Sequence, residues 1–231
     1  MKIYGLQKLT LLDYPGLTAC TVFLAGCDLR CPFCHNYELA VRVSEPVMDE
    51  EDLTEFLGRR KGLLDGVVFT GGEPCLSPGL PALMRKVKDM GFLVKLDTNG
   101  MHPVILEELI SDGLVDYAAM DIKNSPGKYA VTAGLPDKAI DMDALRRSIG
   151  LIKQLGEKGE FRTTVVAGFH EESDFEAIGQ ELDGAFQYFL QPFVDRDTVP
   201  DRDLRAPDIE ELHKYAEIAK KFIKNVEIRG L

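Results

Sequence analysis

Apolar and polar positions alternate along this chain in blocks. Short apolar runs rich in β-branched residues are each followed by a longer stretch with apolar residues at three- and four-residue spacing. The runs Thr18–Gly26, Gly66–Thr70, Phe92–Leu96, Val115–Ile122, Glu160–Val166 and Phe186–Gln191 predict strands. The stretches Met48–Arg60, Gly79–Met90, Pro103–Ser111, Met142–Leu155, Ser173–Leu182 and Pro207–Ile223 predict helices, and Asn225–Arg229 reads as a short closing strand. Leu53, Phe56 and Leu57 share one side of the first helix; Leu80, Leu83, Met84 and Val87 share one side of the second. Pro103 suits a first helical turn, and Ser173 is the expected cap of its helix.

Strand followed by helix, repeated, implies parallel strands joined by crossover helices. Continuous apolar runs fit strands buried on both faces. The expected fold is α/β, an incomplete (β/α)6 TIM-like barrel formed by residues 1–231 as a single domain. The rival is a doubly wound open sheet. In both, ligands bind at the carboxyl ends of the strands.

The unusual chemistry falls at those ends. Cys27, Cys31 and Cys34 follow the first strand, and Gly71-Gly72-Glu73-Pro74 follows the second. Asp97-Thr98-Asn99-Gly100 follows the third, Asp121 and Lys123 end the fourth, Arg162 lies in the fifth, and Gln191-Pro192 ends the sixth.

The chain has 231 residues, 45% hydrophobic, and a net charge of −11. An acidic protein lacks the basic patch that nucleic acid requires, and an anionic membrane face is equally disfavoured. No stretch approaches the roughly 20 apolar residues of a spanning helix. Met1–Lys8 lacks a signal-peptide apolar region. Five cysteines, three of them clustered, do not read as a secreted disulfide framework, so a reducing cytoplasm is the expected location.

The C-x3-C-x2-C spacing brings three thiols into one loop, where only a metal centre would take their charge. Two readings stand. A single zinc ion would complete a Cys3His set with His35. A cubane iron–sulfur cluster would use the three thiols and leave one iron without a protein ligand. Elsewhere the same choice recurs. Gly71-Gly72-Glu73 is an ordinary turn, or a place where backbone approaches a ligand and a carboxylate or carbonyl accepts from an ammonium group. Asp97–Gly100 is an Asn-Gly turn, or a contact for a ribose or an ion. Arg162, in an apolar strand, belongs to a core ion pair or to the site. Cys20 reads as a small core residue. Cys75 reads as structural, with a second redox role open. His102, His170 and His213 read as surface or helix-end residues, and Asp195–Arg205 as a solvated loop or a docking surface.

The cysteine loop, with Phe33 before its last thiol, resembles the radical S-adenosylmethionine (radical SAM) superfamily over nearly the whole chain. Asp13-Tyr14-Pro15-Gly16 and Cys34-His35-Asn36 are similar to segments of the activating enzymes of glycyl radical proteins, most of all the anaerobic ribonucleoside-triphosphate reductase activating proteins. This resemblance implies a [4Fe–4S] cluster on Cys27, Cys31 and Cys34 and reductive cleavage of S-adenosylmethionine to a 5′-deoxyadenosyl radical. That radical would take a hydrogen atom from a glycine of a partner enzyme, with flavodoxin or ferredoxin as electron donor. It places Phe33, Gly71, Gly72, Glu73, Asp97, Thr98, Asn99, Lys123 and Arg162 among the cofactor contacts. By likeness to pyruvate formate-lyase activators it also implies a monovalent cation on Asp97, Thr98, Asp121 and the Ala119 carbonyl. Those activators carry a histidine after the last strand where this chain has Gln191-Pro192. Activation of a pyruvate formate-lyase-type enzyme, radical chemistry on a small molecule, and a non-catalytic zinc protein are the alternatives.

Overall fold

The computed structural model describes residues 1–231. The chain divides into two compact units, residues 1–28, 38–98 and 104–118, and residues 29–37, 99–103 and 119–231.

The first unit opens with β1 (Lys2–Ile3) and β2 (Gly5–Thr10), continues through β3 (Ala19–Leu24), and includes most of the short helix α1 (Tyr37–Ala40). Next come β4 (Met48–Asp49), α2 (Glu50–Arg59), β5 (Gly66–Gly71), α3 (Leu80–Asp89), β6 (Leu93–Thr98) and α4 (Pro103–Ser111). β3, β5 and β6 are parallel, with Val22 beside Phe69 and Phe69 beside Leu96. Their carboxyl ends therefore share one edge. Val22, Val67, Val68, Phe69, Val94 and Leu96 are fully buried, as are Leu53 and Leu57 of α2 and Leu80, Leu83, Met84 and Val87 of α3. Each such side chain contributes about 1.5–3 kcal/mol, which is why the two-faced apolar pattern fixes these elements.

The start of one helix is corrected, and one strand is new. The helix expected from Met48 starts at Glu50, because Met48 and Asp49 pair antiparallel with Ile3 and Lys2. Asp49 then caps the helix, its Oδ1 accepting from Glu51 N and Asp52 N. β2, which the apolar pattern did not reveal, runs antiparallel to β3, Leu6 beside Val22. Its solvent-facing residues Gln7, Lys8 and Leu9 mask the strand period.

β7 (Tyr117–Asp121) leads from the first unit into the second. There follow α5 (Tyr129–Thr132), α6 (Met142–Gln154), β8 (Gly159–Val165), α7 (Glu172–Glu181), β9 (Gln187–Pro192), α8 (Ile209–Ala219) and β10 (Asn225–Ile228). β8, β9 and β10 are parallel, Phe161 beside Tyr188 and Tyr188 beside Val226. Phe175 of α7 stacks on Tyr215 of α8 at 4.4 Å between ring centroids. The cap of α7 is Glu171 rather than Ser173. The Glu171 N–H donates to Asp174 Oδ2 at 3.0 Å, and Ser173 instead donates to the Glu171 carboxylate. No helix is long and apolar enough to cross a membrane.

Candidate active site

In the first unit, the start of the cysteine loop is fixed by backbone. After β3, Gly26 N donates to Leu39 O and Cys27 N to Ala40 O. The turn after β5 lies against the same backbone: Gly72 N donates to Leu24 O and Glu73 N to Gly26 O, at 2.9 and 2.7 Å. Gly71 has φ +117°, and a β-carbon on it would stand 2.3 Å from Leu24 O; one on Gly72 would stand 2.2 Å from Gly26 O. Only glycine permits this approach, which settles why both positions lack a side chain.

Glu73 is fully buried. Its Oε1 accepts from Cys75 N and from Thr98 Oγ1, each at 2.9 Å. The carboxylate thus caps the helical turn Pro74–Leu76 and ties it to the end of β6. Cys75 is buried, 3.9 Å from Thr98 Oγ1, and its thiol is pushed well above its ordinary pKa by burial and by the Glu73 carboxylate. Such a thiol is inert at neutral pH. Cys20 is wholly buried in β3, its pKa raised to about 12 by burial. At the end of β6, Asp97 Oδ1 takes an ion pair from Lys95 Nζ at 2.6 Å.

In the second unit, the rest of the cysteine loop is pinned from several sides. Arg30 N donates to Ala133 O at 2.8 Å, and a β-carbon on Gly134 would stand 1.9 Å from Arg30 O. Cys34 N donates to Cys31 O, and Asp201 N donates to Pro32 O. Phe33 is buried and packs edge-on against Phe169. His35 stacks on Phe193, and its Nε2 lies 2.7 Å from Val194 O. Cys31 is buried, its pKa raised to about 11 by burial, which the nearby Lys123 ammonium only partly offsets. Burial likewise raises Cys34.

Below the loop runs a ladder of alternating charge. Asp121 accepts from Lys123 Nζ at 3.1 Å and from Arg162 Nε at 3.0 Å. Arg162 Nη1 lies 3.9 Å from Glu160, which is fully buried and holds Arg229 through two contacts of 3.0 and 2.8 Å. The Arg229 guanidinium lies over the Phe189 ring at 3.2 Å. Burial opposes the charge on Asp121, but Lys123 and Arg162 outweigh it and hold the carboxyl well below the usual range. Burial also opposes the Lys123 ammonium, and Asp121 outweighs that in turn, holding its pKa above the ordinary lysine value.

His170, read as a surface or helix-end residue, stands just before α7 and is buried. Val166 N donates to its Nδ1, which leaves the proton on Nε2 to be donated to Lys123 O at 2.9 Å. Asn99 Oδ1 accepts from Met101 N and shapes the turn at Gly100. Ala119 is buried in β7. Asp195–Arg205 is more than a solvated loop: Val199 is buried, and Asp201 binds the cysteine loop as described. Sequence reasoning missed Lys95, Gly134, Glu160, Phe169, His170 and Arg229. Lys95 and Glu160 carried the signal that exposed Arg162, a lone charge in an apolar strand.

The sequence pattern that defines the Radical SAM superfamily matches residues 21–179. A provisionally named glycyl-radical enzyme activating enzyme of Methanocaldococcus jannaschii is 34% identical over 99% of this chain and 96% of its own. The pyruvate formate-lyase-activating enzyme of Clostridium pasteurianum is 32% identical over 53% of this chain and 52% of its own. The 7-carboxy-7-deazaguanine synthase of Thermococcus kodakarensis is 29% identical over 74% of this chain and 72% of its own. Among solved structures, Streptococcus suis SuiB bound to S-adenosylmethionine superposes with a TM-score of 0.64 at 15% identity, covering 91% of this chain and 52% of that one. The fold is therefore the expected α/β type, a parallel sheet with helical crossovers consistent with an incomplete TIM-like barrel. With the pattern spanning most of the chain and the first of these likenesses running its length, the protein belongs to the radical SAM superfamily.

Proposed function

We propose that this protein activates a glycyl radical enzyme. The observation that carries the reading is the 34% identity, sustained over 99% of the chain, to a protein provisionally named a glycyl-radical enzyme activating enzyme. Membership of the superfamily implies a [4Fe–4S] cluster and S-adenosylmethionine, and the chain's residues suit both. Buried thiols such as Cys31 are poor thiolates alone and good ligands to a soft, positively charged centre. The single-zinc alternative would have to use His35 Nδ1, because Nε2 is engaged by the Val194 carbonyl.

Cys27, Cys31 and Cys34 would hold the cluster. Bound there, cluster and S-adenosylmethionine would supply one-electron cleavage chemistry, with the electron drawn from a reduced flavodoxin or ferredoxin, for removal of a hydrogen atom from a backbone glycine of the partner. The chain's own part is placement. Gly71 and Gly72, having no side chain, would let the methionine ammonium come close to the backbone. The Glu73 carboxylate is occupied in holding that turn. Lys123 and Arg162, set by Asp121, supply cations for the methionine carboxylate. Phe33, Asp97, Thr98 and Asn99 complete the contact set. The partner we favour is an anaerobic ribonucleotide reductase, with flavodoxin or ferredoxin as donor, in the cytoplasm.

A second reading, radical chemistry on a small molecule, draws on the likeness to 7-carboxy-7-deazaguanine synthase. Anaerobic reconstitution with iron and sulfide tests both. The expected result is a brown protein whose electron paramagnetic signal changes on adding S-adenosylmethionine, and a glycine-centred radical on the reductase after reduction. A glycine radical absent from every glycyl radical enzyme tried, with cleavage of S-adenosylmethionine intact, favours the second reading. A colourless protein with one zinc per chain defeats both. Cys31→Ala should abolish cofactor cleavage; retained cleavage contradicts the ligand assignment.

A further inference from the structure

The pyruvate formate-lyase activators that this chain resembles imply a monovalent cation on Asp97, Thr98, Asp121 and the Ala119 carbonyl. The residues present do not fit that ion. In the first unit, Asp97 already has a cation: Lys95 Nζ lies 2.6 Å from its Oδ1. Lys95 stands two residues earlier in β6, so both side chains leave the same face of the strand. Its side chain is only 1% exposed, and its ammonium also lies 5.8 Å from the centroid of the Tyr117 ring. An ammonium so deeply buried is tolerated only when paired, and Asp97 is the carboxylate that pairs it. An ion taken up by Asp97 would meet a charge already neutralised, or displace an ammonium from its partner. In the second unit, Asp121 carries two cations, Lys123 and Arg162, which leaves that cluster positive rather than negative.

We propose that Lys95 is a built-in replacement for the monovalent cation at Asp97, so that S-adenosylmethionine binds to this protein without sodium or potassium. The inference rests on the cofactor reading above. The test is the affinity of the reconstituted holoprotein for S-adenosylmethionine in choline chloride, with potassium or sodium chloride then exchanged in at constant ionic strength. The expected result is an affinity constant to within about twofold across the salts. A loss of about tenfold or more in choline, restored saturably by potassium or sodium, overturns the proposal. Lys95→Met should gain the dependence that the wild type lacks, weakening about tenfold in choline and recovering with potassium. A folded Lys95→Met protein with unchanged, salt-independent affinity also overturns it. If that variant does not fold, the wild-type comparison decides alone. Absence of binding in every salt defeats the cofactor reading and this inference with it, whereas a cation-specific loss defeats only the inference.

Discussion

The two units settle their polar groups by different means. In the first, the strand ends are held mostly by backbone contact and short-range hydrogen bonds, two bare glycines against Leu24 and Gly26 and one buried carboxylate shared by Cys75 N and Thr98, beside a single-step ion pair of Lys95 with Asp97. In the second, they are held by charge, through Arg229, Glu160, Arg162, Asp121 and Lys123 in alternating sign. The glycine contacts depend on volume and distance, and salt hardly touches them. The second arrangement depends on its members keeping their charge, above all Glu160, which is fully buried and is compensated by Arg229 and Arg162. The difference teaches where each unit is fragile.

The comparison breaks most sharply at Glu160. Glu160→Gln leaves two guanidinium groups without their buried carboxylate and should lower unfolding stability by about 3 kcal/mol. Denaturant unfolding checks this, and a loss below about 1 kcal/mol would mean that solvent compensates Arg229 and Arg162. Gly72→Ala probes the other unit through volume alone. Its added methyl would meet the Gly26 carbonyl, and the expected loss is about 2 kcal/mol, insensitive to salt, together with weaker S-adenosylmethionine binding. Thr98→Val removes one hydrogen bond to Glu73 and should cost about 1 kcal/mol, which Thr98→Ser restores; failure of serine to rescue would show that the methyl group, not the hydroxyl, matters.

The smallest effect is a pH dependence in the second unit. Burial pushes the His170 imidazole below its ordinary 6.5, against the opposing pull of its backbone hydrogen bonds. The unfolded chain therefore takes up the proton first as pH falls through that ordinary value. Stability from this residue is full above it and declines below it, by at most about 1.4 kcal/mol per pH unit. Urea midpoints measured from about pH 7.5 down to about 5.5 should show the decline, and His170→Gln should remove that part of it.

Much of this was legible in the chain. The strand and helix succession came through because two-faced burial demands continuous apolar runs, and local periodicity records that demand. The placement of chemistry at strand ends followed from the parallel topology. The edge strand β2 did not come through, because half of its residues face solvent. The burial of His170 did not come through, because nothing local distinguishes a histidine that binds the Lys123 carbonyl from one in water. Ser173 lost its capping role because Glu171 and Asp174 form the reciprocal pair two residues earlier than the serine suggested.

The sequence by itself determined which residues stand at the strand ends: three thiols at fixed spacing, two glycines and a glutamate after a strand, and a run of polar residues after the next. These are local patterns, set by the reach of a few residues of backbone. Only the tertiary structure decided which charges meet. Lys95 and Asp97 lie two apart in one strand, yet the burial that binds them as a pair is imposed by the surrounding core; Glu160 and Arg229 are distant in the chain and are joined only because β8, β9 and β10 lie side by side. Electrostatic compensation in a low-dielectric interior is a property of neighbours in space, and a linear pattern does not encode it.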